Sequence, residues 1–81
     1  MIAKITEARY EQNYTIYLRF QDGLEGFVNL EDELYGSMFE SLKDIDAFQK
    51  FTIHPDFKTL CWPNGADIAP EFLYQHVRMT A

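Results

Sequence analysis

The chain has 81 residues, enough for one domain and too few for two, so we predict a single domain over residues 1–81. Hydrophobic residues make up 47% and charged residues 25%, a composition that excludes collagen-like, low-complexity and disordered proteins. The net charge is −6, and only seven Lys and Arg residues are scattered along the chain. Direct binding to nucleic acid or to an anionic membrane is therefore disfavoured.

The sequence also limits compartment and metal chemistry. No apolar run approaches the ~20 residues of a membrane helix, and the N-terminal segment lacks the apolar core of a leader, so we expect a cytoplasmic protein. Cys61 is the only cysteine, which excludes an internal disulfide. Because one Cys and two His do not form a typical zinc site, we predict no metal and no cofactor.

Alternating apolar residues predict strands in the first part of the chain. Tyr14 to Phe20 alternates at period two, Asp22-Gly23 follows, and Leu24 to Leu30 repeats the alternation. This pattern is typical of a β-hairpin with an Asp-Gly turn. Ile2 to Arg9 is predicted as a preceding strand.

Short elements are predicted in the middle of the chain. Asn29 is positioned to cap a turn of helix over residues 31–35, which Gly36 would end, and Asp44 to start a second short helix reaching Phe48 or Gln49. Residues 51–54 and 57–62 are predicted as two extended runs joined at Pro55-Asp56.

The last element is predicted to be a helix that begins at Pro70. Phe72, Leu73, His76 and Val77 lie on one stripe of it. The pattern as a whole indicates a small α+β domain: an antiparallel sheet built from hairpins, with short helices, one of them C-terminal. A parallel βαβ arrangement is disfavoured because no connection holds a long crossover helix.

Catalytic patterns are weak. His54 and Cys61 lie on adjacent predicted strands, but Cys61 is flanked by Leu60 and Trp62, so an inert buried thiol is the better interpretation than an activated nucleophile. No phosphate-binding loop and no nucleophile elbow occurs. We therefore expect a protein that is not an enzyme.

Charge and aromatic residues indicate a possible interaction surface. Residues 1–40 carry eight acids against three bases, and residues 41–81 carry five against four. The acids either form a solvated face that keeps the small domain soluble or steer a basic protein partner towards it. Tyr17 and Phe27 lie on the outer face of the hairpin; we expect helices to cover that face, the alternative being an aromatic patch exposed to a partner. The candidate partner-binding residues are Tyr17, Glu25, Phe27, Glu31, Asp32, Glu33 and Tyr35.

A second group of residues suggests a small-molecule pocket. An aromatic wall with nearby polar groups is a usable binding site, and the candidates are His54, Trp62, Asn64 and Asp67. The same residues also have structural interpretations. Trp62 fits a core position, Asn64-Gly65 a turn, and Asp67 a residue that ties the loop or the helix end.

The segment from Trp62 to Tyr74 resembles a bacterial family known as domain of unknown function 2442. That family has a Trp, a polar turn with Gly, an Asp, an aliphatic residue and then Pro and an acid before its last helix. The strand from Tyr14 to Phe20 with Asp22-Gly23 is similar to the family's first hairpin, and Phe39, Leu42, Asp44 and Phe48 fit its middle segment. Ala69 departs from the family pattern, in which Asp often precedes the Pro, so a helix cap here would be weaker or come from Asp67.

The resemblance implies a small α+β domain for which no catalytic residues are established. Single-domain members are often encoded beside another small protein, in an arrangement like a toxin–antitoxin pair. Our first hypothesis is therefore a protein-interaction module, the acidic, antitoxin-like partner of a small basic protein. The alternative is a ligand-binding or minor enzymatic domain with a pocket near Trp62 and Asp67. The sequence names neither the partner nor an oligomeric state.

Overall fold

The computed structural model describes residues 3–80, with nothing stated of the Thr80 side chain. Strands and short helices follow one another with brief connections. The strands are β1 Ile5–Gln12, β2 Thr15–Phe20, β3 Glu25–Asn29, β4 Thr52–Ile53 and β5 Leu60–Cys61; the helices are α1 Ile45–Phe48 and α2 Pro70–Thr80, with 3-10 turns at Glu31–Glu33 and Glu40–Lys43. Every strand pair within the described residues is antiparallel, so the predicted α+β class is confirmed.

The hairpin of β2 and β3 has the predicted Asp-Gly turn. Gly23 has a φ of 96°, a conformation that glycine adopts without the steric cost of a Cβ. Its N–H donates to the Phe20 carbonyl at 2.9 Å, and the Asp22 Oδ1 atom accepts the Leu24 N–H at 3.0 Å. These bonds fix the register in which Tyr17 lies opposite Phe27.

The first strand lies further along the chain than predicted. It spans Ile5–Gln12 instead of Ile2–Arg9; the start of the predicted range lies outside the described residues. Asn13 makes the turn into β2 with a φ of 47°, and register irregularities interrupt β1 near both ends. Because these irregularities and the exposed residues at the end of β1 break the period-two pattern, the sequence does not mark where the strand ends.

The inner face of the three-stranded sheet forms the main hydrophobic core. As the alternation predicts, Ile16, Leu18 and Phe20 of β2 and Val28 of β3 are almost completely buried, at 2% exposure or less. Leu73 and Val77 of α2 belong to the same buried cluster, and Phe72 and His76 beside them are half-buried. The predicted stripe of the last helix is thus confirmed, and two of its four residues, Leu73 and Val77, belong to the core.

The middle of the chain is less regular than predicted. A single 3-10 turn replaces the helix predicted over residues 31–35, and α1 forms after Asp44 as expected. The run predicted over residues 57–62 is extended only at Leu60–Cys61, because Lys58 has a φ of 54° and its N–H donates to the His54 carbonyl. Phe57 therefore lies in a turn, 69% exposed, and not in a strand.

A side-chain hydrogen bond joins the last helix to the first hairpin turn. The Tyr74 hydroxyl donates to Asp22 Oδ2 at 2.5 Å, and the Tyr74 ring packs edge-on against Phe20 with centroids 5.0 Å apart. The hydrogen bond from Tyr74, followed by that from the Leu24 N–H, lowers the pKa of Asp22. The same bond to Asp22 raises the pKa of Tyr74, because the carboxylate favours the protonated phenol.

Tyr74→Phe is expected to lower the melting temperature at pH 7 and to weaken its dependence on acid. A lowered folded-state pKa of Asp22 gives stability that is present above the unfolded value of about 3.9 and is lost as the pH falls through the folded value. The difference in melting temperature between wild type and variant should therefore shrink below about pH 4. Thermal unfolding followed by circular dichroism from pH 7 to pH 2.5 measures it.

The matched control is Tyr35→Phe, because Tyr35 is 69% exposed and its hydroxyl makes no hydrogen bond to another described residue. It should leave the melting temperature unchanged across this range. A deficit of Tyr74→Phe that is the same at pH 7 and pH 2.5 would show that the bond to Asp22 does not carry the effect.

Candidate functional site

The structure divides the seven candidate partner-binding residues into two groups. Tyr17, Glu25 and Phe27 lie on the outer face of β2 and β3, and the other four lie in the loop that follows β3. Glu25 is the first residue of β3 and Asn29 the last. The strand therefore separates Glu25 from the start of the loop by roughly 13 Å, at about 3.3 Å per residue.

The outer face of the sheet is a mixed, charge-balanced surface. Tyr17 is covered by Phe27, whose ring lies 5.8 Å away in an edge-on arrangement, and by Arg9, whose guanidinium is 4.4 Å from the ring centroid. Its hydroxyl donates to Glu25 Oε1 at 2.7 Å, which raises the pKa of Tyr17. Arg19 lies directly opposite Glu25 in the register, so Glu25 does not belong to an uncompensated acidic patch.

Side chains of the sheet cover Tyr17, and Phe27 remains 53% exposed. The expectation that helices cover this face is therefore wrong at Phe27. The α2 helix instead packs its apolar side, Leu73 and Val77, into the core on the inner face of the sheet. Among the described residues, α2 is the one helix of 11 residues, and the other helical segments have three or four. No second long helix is therefore present in this part of the chain to cover the outer face of the sheet.

The loop of residues 31–35, called here the acidic loop, is fixed at both ends. The Asn29 side-chain oxygen accepts the Glu31 N–H at 2.9 Å and so holds the start of the turn, although Leu30, and not Asn29 as predicted, occupies the N-cap position. Leu34 is 2% exposed and anchors the loop in the core. Gly36, with a φ of 88°, ends it.

The acids of this loop form no salt bridge within the described residues, although Lys43 borders a recess together with Glu31 and Asp32. Glu31 and Asp32 are exposed and Glu33 is half-buried. Within residues 3–80, the one salt bridge joins Arg9 to Glu7, at 3.8 Å on the sheet face. The negative charge of the acidic loop is therefore available to an incoming group.

Two residues of the acidic loop form walls of a cavity of about 330 Å³. Glu33 and Tyr35 line it on one side, and Asp67 lies on the segment that leads into α2. The remaining lining is apolar and comes from Phe39, Ile68, Ala69 and Phe72. The sequence does not mark Phe39 and Phe72 as cavity walls. An aromatic residue on a helical stripe or after a loop is as typical of a core position as of a cavity wall.

The four residues proposed for a small-molecule pocket do not share one cavity at the described residues. The cavities that border Asp67 contain none of the other three. Trp62 is 3% exposed, and its indole N–H donates to the buried Phe48 carbonyl at 2.9 Å. Trp62 is thus a core residue and not the exposed wall of a pocket. This agrees with the structural interpretation of its position in the sequence.

His54 and Asn64 stabilise their own loops. The Nδ1 atom of His54 accepts backbone N–H groups from Asp56 at 3.1 Å and from Phe57 at 3.2 Å. The Asn64 amide donates to the Met38 carbonyl at 2.8 Å and to the Ser41 hydroxyl at 3.1 Å. The Asn64 oxygen accepts the Ala66 N–H at 3.0 Å, as expected for a turn residue.

Asp67 differs from the other three candidates. It is exposed, and its carboxylate makes no hydrogen bond to another residue in the described part of the chain. Of the two alternatives for the start of α2, a weaker cap or a cap from Asp67, the cap from Asp67 is therefore not formed. Its backbone forms an isolated bridge with Cys61, which fixes where its side chain lies beside the cavity.

The geometry also bears on nucleophile and metal chemistry. The Cys61 sulfur lies 3.5 Å from the Thr52 hydroxyl, and no hydrogen bond joins it to His54 among residues 3–80. The described residues contain no group of three or more His, Cys, Asp or Glu side chains that could hold a metal ion. Over the same stretch, none of the helices has the length and apolar character needed to cross a membrane.

Comparison with known proteins places the chain in a family. The family described as protein of unknown function, DUF2442, matches residues 5–78. The chain belongs to the DUF2442 family. The expected resemblance is thereby confirmed over nearly the whole chain. A search of curated proteins and a search of solved structures each gave no match.

Trp62→Phe is expected to lower the free energy of unfolding by about 2–4 kcal/mol. The change leaves the buried Phe48 carbonyl without its donor and removes ring volume from the core. Urea unfolding measures the loss. Phe57→Leu, at a 69% exposed position, is the control and should change stability by less than about 0.5 kcal/mol. Equal stability of Trp62→Phe and wild type would contradict the core assignment.

Proposed function

We propose that this member of the DUF2442 family is a binding module for a small basic protein. The observation that carries the proposal is that the acidic loop forms walls of the 330 Å³ cavity, through Glu33 and Tyr35. Net negative charge and an apolar recess thus lie together. Protein interfaces combine these two features, because complementary charge accelerates encounter and buried aromatic contacts supply most of the affinity.

Charge and exposure support this assignment of the binding surface. Glu31 and Asp32 are exposed at the rim, where a carboxylate acts mainly on the rate of association. Tyr35 is 69% exposed, so its ring is open to contact with a partner. Glu25, Tyr17 and Phe27 would then lie outside the contact or at its edge, because Glu25 is already paired with Tyr17 and opposite Arg19.

The activity proposed is binding and not catalysis. Both catalytic candidates have other partners: the Nδ1 atom of His54 holds its own turn, and Cys61 contacts Thr52. In its finer form, the proposal makes this chain the cytoplasmic, antitoxin-like member of a two-protein system, whose partner is harmful when it is expressed alone. The excess of acids in the sequence supports this finer form, because a small basic protein is the natural complement.

Neutralising the acidic loop is expected to weaken capture of the partner. The tagged chain is used to isolate proteins from its source cells at low salt, as wild type and as the variant Glu31→Gln, Asp32→Asn, Glu33→Gln. We expect a stoichiometric basic protein with wild type, which high salt releases. With the purified partner, the variant should reduce the association rate on the order of tenfold.

The matched control neutralises three exposed acids outside the loop, Glu11→Gln, Asp46→Asn and Asp56→Asn, so that both variants change the net charge equally. It should keep most of the association rate. Capture of no basic protein would overturn the proposal. Equal losses for both variants would show that only the net charge matters and not the loop.

The antitoxin-like role has a separate test. The captured protein is expressed alone in a bacterial host and then together with this chain. We expect growth arrest in the first case and recovery in the second, and recovery should fail with the loop variant and succeed with the control variant. Normal growth on expression of the captured protein alone would contradict the antitoxin-like role while leaving the binding proposal intact.

A further inference from the structure

A second cavity adjoins the one at the acidic loop. Its volume is about 420 Å³, and its walls include Phe57, Thr59, Pro70 and Glu71. Both cavities also border residues 67–69, the segment that leads from β5 into α2. The two recesses therefore flank one short stretch of chain.

The lining of the two cavities has a consistent chemistry. Each contains one exposed aromatic ring, Tyr35 in the first and Phe57 in the second, and each ring is 69% exposed. The acids of the lining are Glu33, Asp67 and Glu71, and no Lys or Arg borders either cavity. Asp67 borders both cavities.

We propose that the two cavities together bind one extended segment of the basic partner. The segment carries two apolar side chains, one for each cavity, with a Lys or Arg between them that pairs with Asp67. This inference rests on the proposed function and specifies the chemistry that the partner presents. Charge complementarity determines the middle residue, because the lining holds three carboxylates and no cation.

An extended chain meets this requirement within five residues. Alternate side chains of a strand point to the same side, so residues i, i+2 and i+4 can all face the surface. Their Cα atoms are spaced by about 6.6 Å. With this spacing, the central residue can lie over residues 67–69 while residues i and i+4 lie on either side of that segment. The flanking residues would enter cavities that are open at the surface and largely apolar.

The probe for this proposal is the peptide acetyl-Ser-Leu-Ser-Arg-Ser-Leu-Ser-amide, titrated into the ¹⁵N-labelled protein and followed by two-dimensional NMR. We expect the backbone amide resonances of Tyr35, Phe57, residues 67–69 and Glu71 to shift together with one dissociation constant. Asp67→Asn should weaken binding by roughly threefold to fivefold, the size expected for one exposed ion pair. Asp46→Asn, at an exposed acid outside both cavities, should leave it unchanged.

Two further comparisons separate the apolar from the charged contribution. Phe57→Ser should weaken binding, and Met79→Ser should not, because Met79 is even more exposed, at 82%, and borders neither cavity. A peptide in which Ser replaces both Leu residues should produce much smaller shifts. Equal shifts with that peptide, or shifts confined to other residues, would overturn the proposal.

The titration and the capture experiment can fail independently. If the cell lysate yields a basic partner whose binding is unaffected by Phe57→Ser and Asp67→Asn, the two-cavity proposal is wrong and the proposed function stands. If the peptide binds as described and no basic protein is captured, the surface recognises the segment and the proposed partner class is wrong.

Discussion

The ring of Phe48 connects the sheet to the segments that cover it. It is fully buried and meets Tyr10 and Tyr14, on the inner side of the sheet, at centroid distances of 6.4 and 5.3 Å. Trp62 lies 5.9 Å away on the β5 side, and the Phe48 carbonyl accepts the indole N–H. Because α2 alone is too short to cover three strands, this aromatic contact supplies the remaining part of the core.

The position of the acidic loop and its cavity follows from this packing. The rings of Phe39 and Trp62 pack edge-on, with centroids 6.3 Å apart. Asn64, two residues after Trp62 in the sequence, donates a hydrogen bond to the Met38 carbonyl. These contacts place residues 36–41 beside the segment that enters α2. The loop and Asp67 are thus brought to the same cavity by the core, and no bond between them is needed.

Elements with one buried face could be predicted from the sequence. The alternation through Ile16 and Leu18 and the stripe with Leu73 and Val77 each reflect burial on one side, which imposes a period of two or of 3.6 residues. The turn at Gly23 was predicted because its positive φ selects glycine.

The remaining elements depend on contacts that leave no local pattern. The 3-10 turn at Glu40–Lys43 buries only Leu42, so no periodicity marks it. The turn that holds Phe57 outside β5 requires the positive φ of Lys58, a residue type for which that conformation is uncommon.

The candidate site was predictable in composition but not in arrangement. Acids and aromatic residues of residues 31–35 were identified because their types suit an interface. Their separation from Glu25 depends on the extended strand β3, which lies between Glu25 and the loop. The role of Trp62 depends on a partner 14 residues away in the sequence. Asp67 borders a cavity, but its neighbours there are Glu33 and Phe39, and not Trp62.

Charge is distributed differently on the outer face of the sheet and around the acidic loop and its cavities. This difference gives a direction to the proposed interaction. On the outer face, Glu7 pairs with Arg9 and Glu25 lies opposite Arg19, so acids and bases largely cancel there. A balanced surface exerts little long-range attraction in physiological salt, where screening acts over about 8 Å. The acidic loop keeps a net negative charge, with Lys43 near Glu31 and Asp32, and no Lys or Arg borders the two cavities. Under the proposed function, a basic partner is therefore drawn to the end of the sheet where the apolar recesses are, and charge sets its orientation before contact is made.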